Sequence, residues 1–172
     1  MEERACGGLH APAGRIVPAR RGENIFALTE PGRYWADIGL FAELARDHAN
    51  GRNVLAAGPM FQHEFGAIQS NLNFLLEREL GTAADAGAGL SYAWQVKWRG
   101  NSRFEPGAQG FGSLGRTNDF GRATEHKLGP AFFGQLALGA RNKLKYDGAI
   151  LFGLNNNTSD TTVRFTVEYE MY

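Results

Sequence analysis

The sequence predicts an all-β fold, an antiparallel up-and-down transmembrane β-barrel of about eight strands, either whole or part of a larger barrel. Three observations predict it. The first is strict alternation: in Leu90–Arg99, Leu90, Tyr92, Trp94, Val96 and Trp98 fall on one face, and Ser91, Gln95, Lys97 and Arg99 on the other. The second is a rhythm of longer and shorter turns between such stretches. The third is compositional, with 23 glycines and 12% aromatics against only 6 prolines, and no apolar run near the roughly 18 residues of a membrane helix.

The elements follow in order. Residues 1–30 read as an irregular or disordered N-terminal segment, and residues 31–172 as the barrel domain. Residues 1–22 contain no apolar h-region or cleavage pattern, so a signal peptide is missing and a displaced start or a truncation is expected. A strand over about 34–45 sets Tyr34, Ala36, Ile38 and Leu40 against Asp37 and Glu43, and Asn50-Gly51 marks a hairpin turn. Strands follow at about 53–65, with Pro59 weakening its pairing, and at about 67–80, where Gln69, Asn71, Asn73, Glu77 and Glu79 oppose Ile68, Leu72 and Leu76. The 90–99 stretch comes next, then a glycine-interrupted strand over about 104–114. A long polar loop is expected over about 115–127, then strands at about 128–139, 144–154 and 162–171.

On this parsing the turns at about 47–52, 81–89, 115–127 and 155–160 are long, and those at 66, 100–103 and 140–142 are short. Outer-membrane barrels have short periplasmic turns and longer external loops, which puts the C-terminus in the periplasm. Tyr34, Phe65, Trp98, Phe104, Tyr146 and Tyr169 then form an aromatic girdle at the periplasmic interface, and Tyr92 and Phe152 contribute to the upper one. The opposite face gathers Glu77, Glu79, Lys97, Arg99, Glu105, Gln109, Lys145, Asp147, Arg164, Glu168 and Glu170 toward the lumen. Those residues either line a water-filled pore or fill a closed barrel with ion pairs and hydrogen bonds. Eight strands leave an interior just wide enough for side chains.

The chain resembles Gram-negative outer-membrane β-barrel proteins, and more narrowly the C-terminal part of a porin-like or transporter-like family. The resemblance covers about residues 33–172 and rests on Asn73–Leu80, Tyr92–Trp98, Glu105-Pro-Gly, Leu128-Gly-Pro, Leu151–Leu154 and Glu168–Tyr172. It implies passive transport of small solutes or a structural barrel in the bacterial outer membrane. Membrane lipid and lipopolysaccharide, the barrel-assembly machinery and further copies of the chain would be its partners. The last strand departs from the family's assembly signal, because Met171 is in phase with the lipid-facing residues and Tyr172 lies one beyond.

No enzymatic chemistry and no cofactor are expected. His126 beside Glu125 lacks the serine of a lipid-hydrolase motif, and reads as an exposed loop histidine. His63 and Glu64 point to opposite faces, and His10 and His48 are isolated, so no metal spacing exists. Gly110–Gly115 lacks the lysine of a phosphate loop and reads as strand bends. A net charge of zero, from 18 basic and 18 acidic residues, gives no reason to expect nucleic acid. The lone Cys6 excludes an intrachain disulfide.

Two alternatives remain open at this level. One is a soluble lipocalin-like barrel holding a hydrophobic ligand, with Leu72, Trp94, Phe132 and Phe165 inside. The other is a truncated remnant of a larger outer-membrane barrel. Alternation alone does not say which face looks inward.

Overall fold

The computed structural model describes residues 19–47, 53–81, 87–139 and 142–171. These residues form an all-β chain of nine strands: β1 (Ala19–Ala27), β2 (Asp37–Asp47), β3 (Asn53–Phe65), β4 (Ile68–Leu80), β5 (Gly89–Trp98), β6 (Glu105–Arg116), β7 (Asp119–Ala137), β8 (Asn142–Gly153) and β9 (Thr161–Met171). They make one sheet in sequence order, and all eight ladders are antiparallel. Among the described residues no ladder joins β1 to β9, so the sheet is not closed.

The sheet is curved. Residues of β6 and β8 approach within 8 Å at Cα although β7 lies between them. Two interstrand spacings would hold them about 9.6 Å apart in a flat sheet. Curvature makes the two faces unequal. On the concave face lie Met60, Gln69, Asn71, Asn73, Ala93, Gln95, Glu105, Gln109, Phe111, Ala131, Phe133, Ala149 and Leu151, all buried. On the convex face lie Leu55, Leu72, Leu76, Val96, Trp98, Leu128, Phe132, Ile150, Phe152, Phe165 and Tyr169, all exposed. The strand alternation is therefore inverted relative to a water-soluble sheet, with most of the large apolar side chains outside and the amides inside.

Glycine–proline steps help set this curvature. Pro59 and Pro130 stand on the convex face, each preceded by a buried glycine, Gly58 and Gly129. Pairing with the next strand lapses at both places, between Ala57↔Leu76 and Met60↔Asn73 and between Leu128↔Phe152 and Ala131↔Ala149. Proline has no N–H for the ladder. Beside it, the carbonyls of Phe74 and Ile150 crowd in so closely that a Cβ on Gly58 or Gly129 would collide with them. The bend is thus built from a missing donor and a missing side chain.

A second set of glycines serves the convex face. Gly110, Gly112, Gly134 and Gly148 are directly opposite Trp94, Tyr92, Tyr146 and Phe132 across their ladders. Each ring leans over its glycine and fills the place where a Cβ would be. Gly110 and Gly112, expected to act as bends, thus seat aromatic rings, whereas Gly115 lies at an irregularity of the β6–β7 ladder.

Four expectations need correction. The described residues form nine strands, because residues 19–27 of the expected irregular segment 1–30 form β1; the rest of the irregular reading over 1–18 lies outside the described residues. Arg20-Arg21-Gly22-Glu23-Asn24 carries almost no apolar alternation, and β1 is held by backbone pairing with β2. Tyr34 lies in the 28–36 connection, where Gly32, at φ 73°, donates its N–H to Asp37 Oδ1 (2.7 Å), so the strand starts only at Asp37. The expected long loop 115–127 is a tight hairpin: Arg116 pairs with Asp119 and Gly115 with Phe120, after a register shift that puts Gly115 at φ 90°. Its polar, glycine-rich composition reads as loop, whereas the backbone closes it into a 19-residue β7.

That hairpin also removes the turn-length argument. Connections 28–36, 66–67, 99–104 and 138–141 lie at one end of the sheet, and 48–52, 81–88, 117–118 and 154–160 at the other. Long and short connections occur at both ends, so their lengths do not orient the chain.

Candidate functional site

The concave face is where the polar chemistry gathers. Ten of the eleven residues expected to face the lumen are brought to it by the two-residue period of their strands, and Arg99, just past the end of β5, joins them through its contacts with Glu64 and Glu105. They do not form one ring. The structure divides them into separate groups, and it adds residues whose importance the charge pattern does not reveal.

The first group sits near the 99–104 connection. Lys97 Nζ lies 2.6 Å from Glu105 Oε2, and Arg99 Nε lies 3.7 Å from Glu105 Oε1. Arg99 Nη1 also donates to Glu64 Oε1 at 2.7 Å. Glu105 is 10% exposed at its side chain and Lys97 18%, so this pair is largely withdrawn from water. The Lys97 ammonium also lies 5.4 Å from the centroid of Phe133, whose ring face attracts it. Glu105 is therefore the anion on which two cations converge.

The second group is uncharged. Gln69 Nε2 donates to Gln62 Oε1 (3.2 Å) and Asn71 Oδ1 (3.0 Å), Asn71 Nδ2 to Gln62 Oε1 (3.0 Å), and Gln95 Nε2 to Asn71 Oδ1 (3.2 Å). These amides tie β3, β4 and β5 together across their inner face. Primary amides carry donor and acceptor on one head, so they can satisfy one another without net charge.

The third group is incomplete. Gln109, 1% exposed, donates to Asp147 Oδ1 at a long 3.4 Å, and its own Oε1 has no partner. Arg164 lays its guanidinium 5.2 Å from the centroid of Phe111, and its Nη1 is buried without a partner. Lys145 pairs with Glu170 between β8 and β9. Glu77 and Glu168 are exposed, and Glu79 is half-buried.

Between these groups the concave face is apolar. Ala93, Phe111, Ala131, Phe133, Ala149 and Leu151 form a buried cluster across β5 to β8. The polar face read from the sequence is thus interrupted by hydrocarbon. The signal was present, since Phe111, Phe133 and Leu151 each sit out of phase with the apolar face of their strands.

Six of the eight aromatics expected in girdles are on the other side. Phe65, Trp98, Tyr146 and Tyr169 project from the convex face near the end carrying connections 66–67, 99–104 and 138–141. Tyr34 and Phe104 lie in connections at that same end, and Phe104 stacks on Phe132 with centroids 6.2 Å apart. Tyr92 and Phe152 stand toward the opposite end. Trp35, 77% exposed beside Tyr34, joins them unanticipated.

Of the histidines, His63 and His126 are among the described residues, and His10 and His48 lie outside them. His126 lies in β7, half-buried on the convex face, with Nδ1 2.9 Å from the Tyr92 hydroxyl and its ring stacked on the tyrosine at 5.8 Å. It is therefore a strand residue with a partner, where the sequence suggested an exposed loop histidine. His63 Nδ1 bonds the carbonyl of Trp35. Among the described residues no group of three metal-ligating side chains occurs.

Comparison with family models, curated proteins and solved structures gives no match.

Proposed function

We propose that the chain is an outer-membrane β-barrel protein whose convex face meets lipid and lipopolysaccharide and whose interior is filled largely by its own side chains. One observation carries the reading: long apolar residues stand exposed on β2 to β5 and on β7 to β9, while Gln69, Asn71, Asn73, Gln95, Glu105 and Gln109 are buried on the opposite face. Exposed apolar surface on that scale needs a nonpolar surrounding, because monomeric soluble proteins rarely expose patches beyond a few hundred Å². Strands of about ten residues or more have the reach of a tilted membrane crossing.

The soluble alternative is disfavoured on the same ground. It would place Leu72, Phe132 and Phe165 around a ligand, whereas they are 37%, 37% and 66% exposed. The role is structural, or binding through the loops, more than open-pore transport. Phe111, Phe133, Leu151 and the amide network occupy the concave side, and a small barrel has room for little else. Passive transport of small solutes would run beside Glu77 and Glu168, which are among the inner carboxylates left exposed. Catalysis has no place in the proposal. The assembly machinery of the outer membrane would be needed to insert such a chain.

The test is electrophoretic mobility of the detergent-refolded chain with and without boiling, followed by conductance in planar bilayers. A heat-dependent shift with little or no conductance is expected. A chain that stays soluble and monomeric in plain buffer, without a shift, sinks the membrane reading. A shift with steady large conductance keeps the barrel and replaces the filled interior by a pore.

A further inference from the structure

The convex face differs from one end to the other. No convex position of β2 to β5 holds an aspartate or a glutamate, and two hold an arginine, Arg46 and Arg78. Both arginines are exposed, and both stand at the end of the sheet that carries connections 48–52 and 81–88. Glu77 and Glu79, the chain neighbours of Arg78, are turned to the concave face by the two-residue period, as is Glu43 in the row of Glu77. At the opposite end the convex positions of the same strands carry Phe65, Ile68 and Trp98, and no arginine or lysine.

The distance between these two ends matches a membrane. Ile68 pairs with both Phe65 and Trp98, and Arg78 lies ten residues further along β4. That length of strand spans about 34 Å, which at a tilt of about 40° crosses about 26 Å of bilayer, close to the apolar band of about 25 Å on outer-membrane barrels. The convex positions between them on β4 are Ser70, Leu72, Phe74 and Leu76, and the Ser70 hydroxyl is donated to the carbonyl of His63. A cation inside such a band is costly, whereas one at its edge reaches the headgroups. Arg46 and Arg78 therefore stand at headgroup level.

Their spacing bears on the kind of headgroup. Arg46 pairs with Asn53 and Arg78 with Leu55, so the two are separated by two strands and one two-residue step, about 12 Å at Cα. A guanidinium binds phosphate through paired N–H donors. A glycerophospholipid brings one phosphate to such a pair. Lipid A, the anchor of lipopolysaccharide, carries a phosphate at each end of a disaccharide. Two phosphates held on one headgroup suit two cations held apart on one sheet.

From these observations we infer that Arg46 and Arg78 form a docking site for the phosphates of lipopolysaccharide at the rim of the convex face. The inference deepens the membrane-barrel reading and rests on it. Lipopolysaccharide occupies the outer leaflet, so the end of the sheet with connections 48–52, 81–88, 117–118 and 154–160 faces outward, an orientation that the connection lengths leave open.

The full chain would be refolded in detergent and titrated with lipid A, with lipid A stripped of its phosphates, and with phosphatidylglycerol, bound lipid being counted by native mass spectrometry. Lipid A should bind more tightly than either of the others. The double variant Arg46→Gln, Arg78→Gln should weaken lipid A binding by roughly tenfold or more, the loss of two charge-assisted contacts. Arg33→Gln removes an exposed arginine in the 28–36 connection, at the other end of the sheet, and should leave that binding unchanged.

Equal affinity of the double variant and the parent for lipid A overturns the proposal, and so does equal binding of the dephosphorylated lipid. Phosphatidylglycerol bound as tightly as lipid A also overturns it, leaving a surface for anionic lipids in general. Heat-dependent mobility of the same samples tells this failure from that of the barrel reading. A shift without arginine-dependent binding keeps the barrel and removes the docking site. Absence of the shift in every sample removes the barrel reading, and the docking site with it.

Discussion

Replacing Glu105 by Gln should destabilise the folded chain by roughly 2–3 kcal/mol, the largest effect expected of any single charge in the sheet. Its carboxylate is 10% exposed and holds Lys97 Nζ at 2.6 Å and Arg99 Nε at 3.7 Å. Removing one partner of a buried ion pair strands the other charge and costs about 3–5 kcal/mol. Lys97, at 18% exposure, recovers some hydration, and Arg99 keeps Glu64 at 2.7 Å, which sets the lower figure. Glu64→Gln breaks a pair whose members are 35% and 43% exposed and should cost less than about 1 kcal/mol. The double variant Lys97→Met, Glu105→Leu removes both charges beside Phe133, and should regain most of the loss. Urea titration of the detergent-refolded chain, followed by tryptophan fluorescence, reads all of these. A Glu105→Gln cost below about 0.5 kcal/mol, or a double variant as unstable as the single, would refute the claim that this carboxylate is desolvated.

Leu72→Lys puts a charge at mid-strand on the convex face, and should lower stability in lipid vesicles by about 2–4 kcal/mol; no loss there would argue that water already bathes Leu72. Gly129→Ala should cost about 1–3 kcal/mol by urea titration, because its Cβ meets the Ile150 carbonyl in the place where the β7–β8 ladder lapses. Tyr92→Phe deletes the 2.9 Å bond to His126 but keeps the stacked rings, so a loss of about 1 kcal/mol is expected in the same titration.

Much of the fold is legible in the sequence where side chains alternate strongly. The strand over 53–65 has the bounds of β3, and those over 67–80 and 90–99 lie within a residue of β4 and β5. Legibility fails where backbone pairing acts without help from alternation. Ala19–Ala27 is polar and glycine-broken, and Asp119–Lys127 has loop composition, yet both are strands because a neighbour supplies the hydrogen bonds. The site shows the same division. Charged inner residues are easy to find by phase, whereas the amides around Asn71 carry no charge to draw attention. Phe111, Phe133 and Leu151 escape notice because an apolar side chain on the polar face looks like an exception, and in this sheet it is the filling.

Alternation is unchanged when the two faces are exchanged, so some other property must tell inside from outside. Bulk does so here. A bent strand has less room on its concave side, and that side carries Ala56, Gly58, Ala93, Gly129, Ala131 and Ala149. Proline, which is bulky and lacks the N–H of a ladder, is driven to the convex side, where Pro59, Pro106 and Pro130 are all exposed. Each has a glycine as a chain neighbour, Gly58, Gly107 and Gly129, and a Cβ on any of the three would strike a carbonyl of an adjacent strand. A proline–glycine step inside an alternating strand therefore fixes the sign of the curvature, because the ring can go only outside the bend and the missing side chain only inside it. The residues in phase with the proline are then the outward ones, which in β3 are Leu55, Ala57, Phe61 and Phe65. This rule reads the inverted faces of the sheet from its sequence without any count of turn lengths.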